Sequence, residues 1–225
     1  MQENQFELER LLSLHRLSAY ESVEQHFENM RLIGYIAPKI LLIEICLRNL
    51  INEELSKELS DWIQKEDKAK DRDKNLSNDQ LVSRQSLDFW CELFCQKKLH
   101  RIFKLKEFDL SRYDENNKDS IKIDRKTYTI REHRKVEIII NLVRTIRNRA
   151  FHCENLFKKR KIKRNQKEAI APRITTKINI NDKALYIGVM PDKIEVFLDD
   201  VLDMFNKDLN RFINRCDKDA PRIQG

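Results

Sequence analysis

Glycine and proline are scarce in this chain: its 225 residues hold three of the first and four of the second. Sandwiches and barrels need those residues at their many turns, so the scarcity argues against them and for long helices. Long apolar runs are missing as well. The longest, as in KILLIEICL, are short and carry Glu44, which leaves no candidate membrane span. The opening MQENQFELER is polar and acidic and does not resemble a secretory leader, so the expectation is a soluble, cytoplasmic protein. Cysteine is present, but its five copies are odd in number and scattered at Cys46, Cys91, Cys95, Cys153 and Cys216. That arrangement is not a disulfide framework and suits a reducing compartment.

Metal-binding patterns are absent too. The pair in CELFC, with His100 following, suggests half a metal site. A spacing of four places Cys91 and Cys95 on one helix face beside Trp90 and Phe94, where core packing is the better reading. No structural zinc and no cofactor are expected.

What the chain does have is charge, and the charge is uneven. The net charge is +7, and the segment KKRKIKRNQK, residues 158–167, holds seven positive side chains and no negative one. The basicity is therefore local. On its own this run reads as a solvated loop or a frayed helix end. Beside a chemical site it reads as a surface for phosphates.

Apolar periodicity divides the chain into helical blocks within a single domain, residues 1–225. The first covers residues 4–17. The second spans residues 23–59, with Gly34 and Pro38 predicting a break and a fresh helix start. In that block Glu44 and Arg48 stand four apart and can pair. Residues 64–80 and 110–129 are polar and read as mobile surface loops. Between them lies a short aromatic helix, LDFWCELFC. EHRKVEIIINLVRTIRNRAFH carries one apolar stripe, Val136, Ile139, Ile140, Val143 and Ile146, and reads as a core helix. ITTKINI and KALYIGV alternate and predict one β-hairpin near residues 174–189. Pro191 opens the last helix.

The chemistry-bearing groups gather in TIRNRAFHCENLFKKRKIKR, residues 145–164. Arg147 is followed by the amide of Asn148 and, five positions on, by His152. The bare spacing is weak evidence, since Arg10 and His15 repeat it with Leu11 in the polar position. The second copy differs because it ends a core helix and leads into the basic run. On an ideal helix a separation of five sets the side chains about 140° apart, so either the helix loosens before His152 or a second subunit completes the site.

These groups suit metal-free RNA cleavage. No Asp/Glu cluster with two-metal spacing accompanies them, and RNA supplies its own nucleophile in the 2′-hydroxyl. His152 can move a proton near neutrality. Arg147 can grip the scissile phosphate and Asn148 can orient it. Arg144, Arg149, Lys158, Lys159, Arg160, Lys161, Lys163 and Arg164 are candidate RNA contacts, and Glu44, Arg48, Asn49 and Glu154 candidate supports. The plain alternatives are a helix-terminal histidine facing the C-terminal dipole and an arginine in a surface ion pair.

The motif resembles the R-x(4–6)-H signature of the HEPN superfamily, and its surroundings resemble the Abi-like (abortive infection) branch. IRNRAFHCENLF is similar to that branch's LRNRxxH helix and HEPLF tail, departing at Cys153 and Asn155. RLSAYE at residues 16–21, LIEICLRN at 42–49 and LDFWCELF at 87–94 resemble further family segments in the same order. The resemblance covers most of residues 10–160. It implies an all-α HEPN bundle, a homodimer whose two motifs share a cleft, and metal-independent endoribonuclease activity in antiviral or toxin-antitoxin defence. A non-catalytic RNA-binding module, a bound small RNA and an antitoxin partner remain open.

Overall fold

The structure, a computed structural model, describes residues 7, 9–70, 75–103, 105, 108–164, 167–181 and 183–219. Helix dominates, as the scarcity of turn residues predicts, and every strand belongs to a small antiparallel pair. The centre is α2 (Val23–Ser56), preceded by the short α1 (Leu14–Leu17). Ser22 caps α2 by accepting from the Gln25 amide. Ile33, Ile36, Ile40, Ile43, Leu47 and Ile51 recur every three or four residues along it and are buried, forming the stripe against which the rest packs.

Residues 9–12 and α1 are two helical pieces instead of the single first helix expected over 4–17; Ser13, at φ 63°, separates them. The break expected at Pro38 does not occur. α2 runs straight through it because Pro38 and Gly34 both lie on the exposed side. There water can take up the Gly34 carbonyl that proline leaves without a donor, while the buried isoleucines on the other side hold both halves to one core.

The segment 64–80 is also more ordered than its polarity predicts. α3 (Trp62–Lys65) and α4 (Asn78–Arg84) flank it, Ala69 is buried, and the Gln85 side chain both accepts from the Lys70 amide and donates to its carbonyl. Residues 71–74 lie outside the described residues. α5 (Leu87–Lys97) follows, with Cys91 buried and Cys95 partly so, in agreement with a packing role. Burial pushes both thiols up, Cys95 to about 11.

The expected loop 110–129 holds a 3-10 turn and a hairpin, β1 (Ser120–Ile123) and β2 (Lys126–Thr129). Its buried Asn117 donates to the Leu110 and Gly188 carbonyls and accepts from the Gly188 amide, tying it to the predicted hairpin, β5 (Ile174–Ile180) and β6 (Lys183–Val189). Between these hairpins run α6 (Glu132–Phe151) and a third pair, β3 (Lys159–Arg164) and β4 (Lys167–Pro172). The described residues are thus mostly helical with three hairpins, where one was expected.

Pro191 starts a 3-10 turn that leads into α7 (Ile194–Phe205), and extended Asn206 separates α7 from α8 (Lys207–Asp219). α7 packs on α2 and β5 on α6. One charge is buried where α2 meets α7: Lys39, 1% exposed, pairs with Asp199 at 2.7 Å and Glu195 at 3.4 Å. Burial alone pulls its ammonium pKa down, but these partners and Tyr35 outweigh that and raise it.

Candidate functional site

The site is built where α6 ends. Val136, Ile139, Ile140, Val143, Ile146 and Ala150 commit one side of the helix to the core, so Arg144, Arg147, Asn148 and Phe151 fall toward its boundary with α5 and solvent. Asn148 is a junction there. Its Oδ1 accepts from Arg147 Nη1 at 3.2 Å and its Nδ2 donates to Asp88 Oδ1 at 3.5 Å. Asp88 in turn accepts from Arg144 Nε, and Arg144 reaches Glu92 at 3.5 Å. Arg147 lies 5.4 Å over the Phe151 ring, and its Nε is buried without a partner. The guanidinium is held by one amide and one ring, with no carboxylate in contact with it among the described residues.

Asp88 was not among the residues singled out in the sequence. It stands in the first turn of α5, where Ser86 caps the helix, and in LDFW it reads as an ordinary helix-start acid. Nothing local signals that it faces Asn148 sixty residues on.

Glu44 of α2 completes this side. Burial pushes its carboxyl above the ordinary value, against the opposing fields of Arg147 and Arg48, with Asp88 pushing the same way as burial. The expected Glu44–Arg48 ion pair is not formed; Arg48 Nε donates to Asn49 Oδ1 at 3.4 Å, while the Glu44 carboxyl accepts from the Leu87 backbone at the start of α5. Asn49 is exposed.

His152 is the C-cap of α6, at φ −88° and ψ 5°, and is exposed. Its amide still donates to the Asn148 carbonyl at 3.1 Å, so the helix loosens at His152 itself and not before it. The imidazole makes no hydrogen bond among the described residues, and none joins it to Arg147. The chain then reverses through Cys153 at φ 51°. The Cys153 amide donates to the Ala150 carbonyl and the Glu154 amide to the Arg149 carbonyl, both at 2.9 Å. This is a Schellman turn with cysteine where glycine is favoured.

The turn is held from outside. The Cys153 carbonyl accepts from Arg16 Nη1 at 3.2 Å and the Tyr20 hydroxyl at 3.3 Å. Asn29, fully buried in α2, donates to the Glu154 carbonyl at 3.0 Å and to Tyr20 Oη at 3.1 Å, and accepts from the Leu156 amide at 2.8 Å. Asn155 donates to the Ala19 carbonyl at 2.8 Å. The segment RLSAYE is thereby a clamp on the turn that carries His152.

The candidate RNA contacts divide. Arg144 is taken by Asp88 and Glu92, and Arg149 by Glu154, which also pairs with Arg173 at 3.0 Å. Burial first, then Arg173, depresses the Arg149 pKa. Glu154 therefore holds the base of the hairpins to the end of α6; it does not support His152. The basic run is a strand and not a loop, so its side chains alternate between two faces. Arg160 is exposed and donates to Thr175 Oγ1 at 3.1 Å. Lys159 and Lys161 are exposed, and Lys161 pairs in register with Ile170. Lys158 lines a cavity of about 730 Å³ with Lys159, Glu21, Glu28 and Asp192, where acids offset it. The side chains of Lys163 and Arg164 lie outside the described residues.

Among the described residues no three His, Cys, Asp or Glu side chains gather as a metal site, and no helix is long and apolar enough to cross a membrane. In comparisons with protein-family models, characterised proteins and solved structures, nothing matches this chain.

Proposed function

We propose that this chain is a metal-independent endoribonuclease of HEPN type, acting in the cytoplasm as a homodimer in antiviral or toxin-antitoxin defence. The observation that carries the reading is the state of Arg147: a guanidinium held at the end of a rigid core helix by Asn148 and Phe151, with no carboxylate in contact with it among the described residues, one turn from an exposed histidine. Arg144 and Arg149 on the same helix are each taken by an acid.

In the proposed reaction an imidazole of His152 takes the proton of an RNA 2′-hydroxyl, which attacks the adjacent phosphorus. The 5′-oxygen leaves with a proton from a second acid, supplied by the other subunit's copy of His152. Arg147 stabilises the charge that develops on the phosphoryl oxygens. The products are a 2′,3′-cyclic phosphate and a 5′-hydroxyl.

Dimerisation is supported by an exposed stripe on α2. Phe27, Met30, Leu41 and Ile45 are 38–50% exposed, at helical spacing. Gly34 in the same stripe has open space around it, which admits a second backbone closely. The stripe runs toward Arg48, whose charge acts on Glu44 beside Arg147.

The test is incubation of purified protein with cellular RNA in EDTA, comparing wild type, His152→Ala and Arg147→Ala. Cleavage in EDTA that leaves cyclic phosphate ends and vanishes in both variants is the expected result. Chelation that abolishes cleavage, with recovery on adding Mg²⁺, would refute the mechanism. Tight binding without cleavage would point to an RNA-binding module.

A further inference from the structure

The opposite end of α6 carries a second constellation that the proposed ribonuclease does not use. Between the C-terminal turn of α5, the 3-10 turn His100–Ile102 and the first turns of α6 lies a cavity of about 410 Å³, within the range of small-molecule sites, roughly 300–1,000 Å³. His133 is nineteen residues before His152, so at about 1.5 Å per residue the two sit roughly 28 Å apart along the helix. The cavity is separate from the site above.

Its floor and rim differ in chemistry. The floor is Phe94, buried, and Cys95, which burial keeps protonated. The rim is Lys98, His100, His133, Arg134 and Glu137. The two imidazoles lie side by side, tilted 55° to each other with centroids 5.6 Å apart. The single acid of the rim, Glu137, is taken by Arg134 at 2.6 Å. Lys98, His100 and His133 have no carboxylate partner among the described residues. Two adjacent imidazoles and an ammonium thus face an apolar hollow whose one lining acid is already paired. Burial first, then the charges of Arg134, His100 and Arg131, holds His133 below its ordinary value, with Glu137 pulling the other way.

We infer that this cavity binds a small phosphomonoester with a planar ring, of the size and chemistry of a mononucleotide, its phosphate between His100, His133 and Lys98 and its ring on Phe94. A dianionic phosphate is the ligand that turns those unbalanced donors from mutually repelling to mutually satisfied, through charge-assisted hydrogen bonds. A flat ring suits the apolar floor, where its face or edge can meet Phe94. Binding favours the protonated form of His133, while the phosphate itself takes up a proton near pH 6, so affinity rises from pH 7.5 toward pH 6 and gains nothing further below it.

Calorimetric titration of the full chain with AMP, adenosine and inorganic phosphate at pH 5.8 and 7.5 tests this. AMP is expected to bind more tightly than inorganic phosphate, adenosine not at all, and AMP affinity to be severalfold higher at pH 5.8. His100→Gln and His133→Gln should each weaken AMP by about tenfold, the weight of one charge-assisted hydrogen bond. Both positions are outside the core, and an unchanged melting temperature verifies the fold. A loss specific to AMP in the presence of intact cleavage of RNA separates this site from that at His152. No binding of AMP at millimolar concentration, equal binding of adenosine, or affinity indifferent to both substitutions overturns the proposal.

Discussion

Asn29 offers the sharpest test of how the His152 turn is held. Its side chain is fully buried and makes three hydrogen bonds, two of them to the backbone just after His152. Asn29→Ala leaves the Leu156 amide without its acceptor in a place water does not reach, which costs about 1–3 kcal/mol. The Glu154 carbonyl is only partly buried and recovers some solvation, adding about 0.5–1 kcal/mol. The missing side-chain atoms leave a small void worth a similar amount. The sum is about 2–5 kcal/mol.

Asn29→Leu keeps the volume and loses the same hydrogen bonds, so it should lie within about 1 kcal/mol of the alanine variant. For a chain of this size about 3 kcal/mol corresponds to a fall in Tm of roughly 6–12 °C. Urea denaturation gives the free energies, and hydrogen exchange at the Leu156 amide reports the local event. If both variants lose less than about 1 kcal/mol and the amide stays protected, the clamp is not what holds the turn. If the ribonuclease reading is right, turnover per folded molecule should also drop roughly ten- to hundredfold, since small displacements of an acid-base group are costly.

Two further outcomes follow from the same region. Cys153 sits at φ 51°, a conformation that costs an L-residue about 1–2 kcal/mol; part of that is returned by the greater freedom glycine has when unfolded. Cys153→Gly should therefore raise stability by about 0.5–1 kcal/mol in urea melts, and a loss of stability would show the turn to be unstrained. Glu44 has a carboxyl held above its ordinary 4.5, mainly by burial. Its protonated form is favoured in the folded state, so its contribution is fully present below about pH 4.5 and lost as pH rises through the raised folded value. Glu44→Gln should remove that slope: wild type loses stability relative to the variant between pH 4.5 and 7, and parallel curves would refute the assignment.

How much of this was legible in the sequence depends on the range over which each interaction acts. Periodicity alone located the core helices, because the stripes of α2, α6 and α7 are properties of single segments. The hairpin at 174–189 was legible for the same reason. Pro38 misled because a proline's effect depends on which face it occupies, and that is fixed only once the buried isoleucines choose theirs. The basic run misled because seven like charges among ten positions, with one apolar residue, carry no period; its strand is imposed by pairing with residues 167–172, which align Ala169 and Ala171 against Ile162 and Arg160. Asn117 shows the limit most clearly. In ENNK it is one polar residue among several, yet it bonds to Leu110 and to Gly188, seventy-one positions away, and so orders a segment whose composition reads as loop. The candidate site divides along the same line. Arg147, Asn148 and His152 lie within six positions and could be found by spacing, whereas Asp88 meets Asn148, and Asn29, Tyr20 and Arg16 meet the turn just after His152, across 60 to 137 positions. The collinear segments of the HEPN-like pattern contain these partners: Arg16 and Tyr20 in RLSAYE, Glu44 in LIEICLRN and Asp88 in LDFW. Each of these residues comes from a different element and acts at or beside the end of α6, a convergence that spacing within any one segment could not supply.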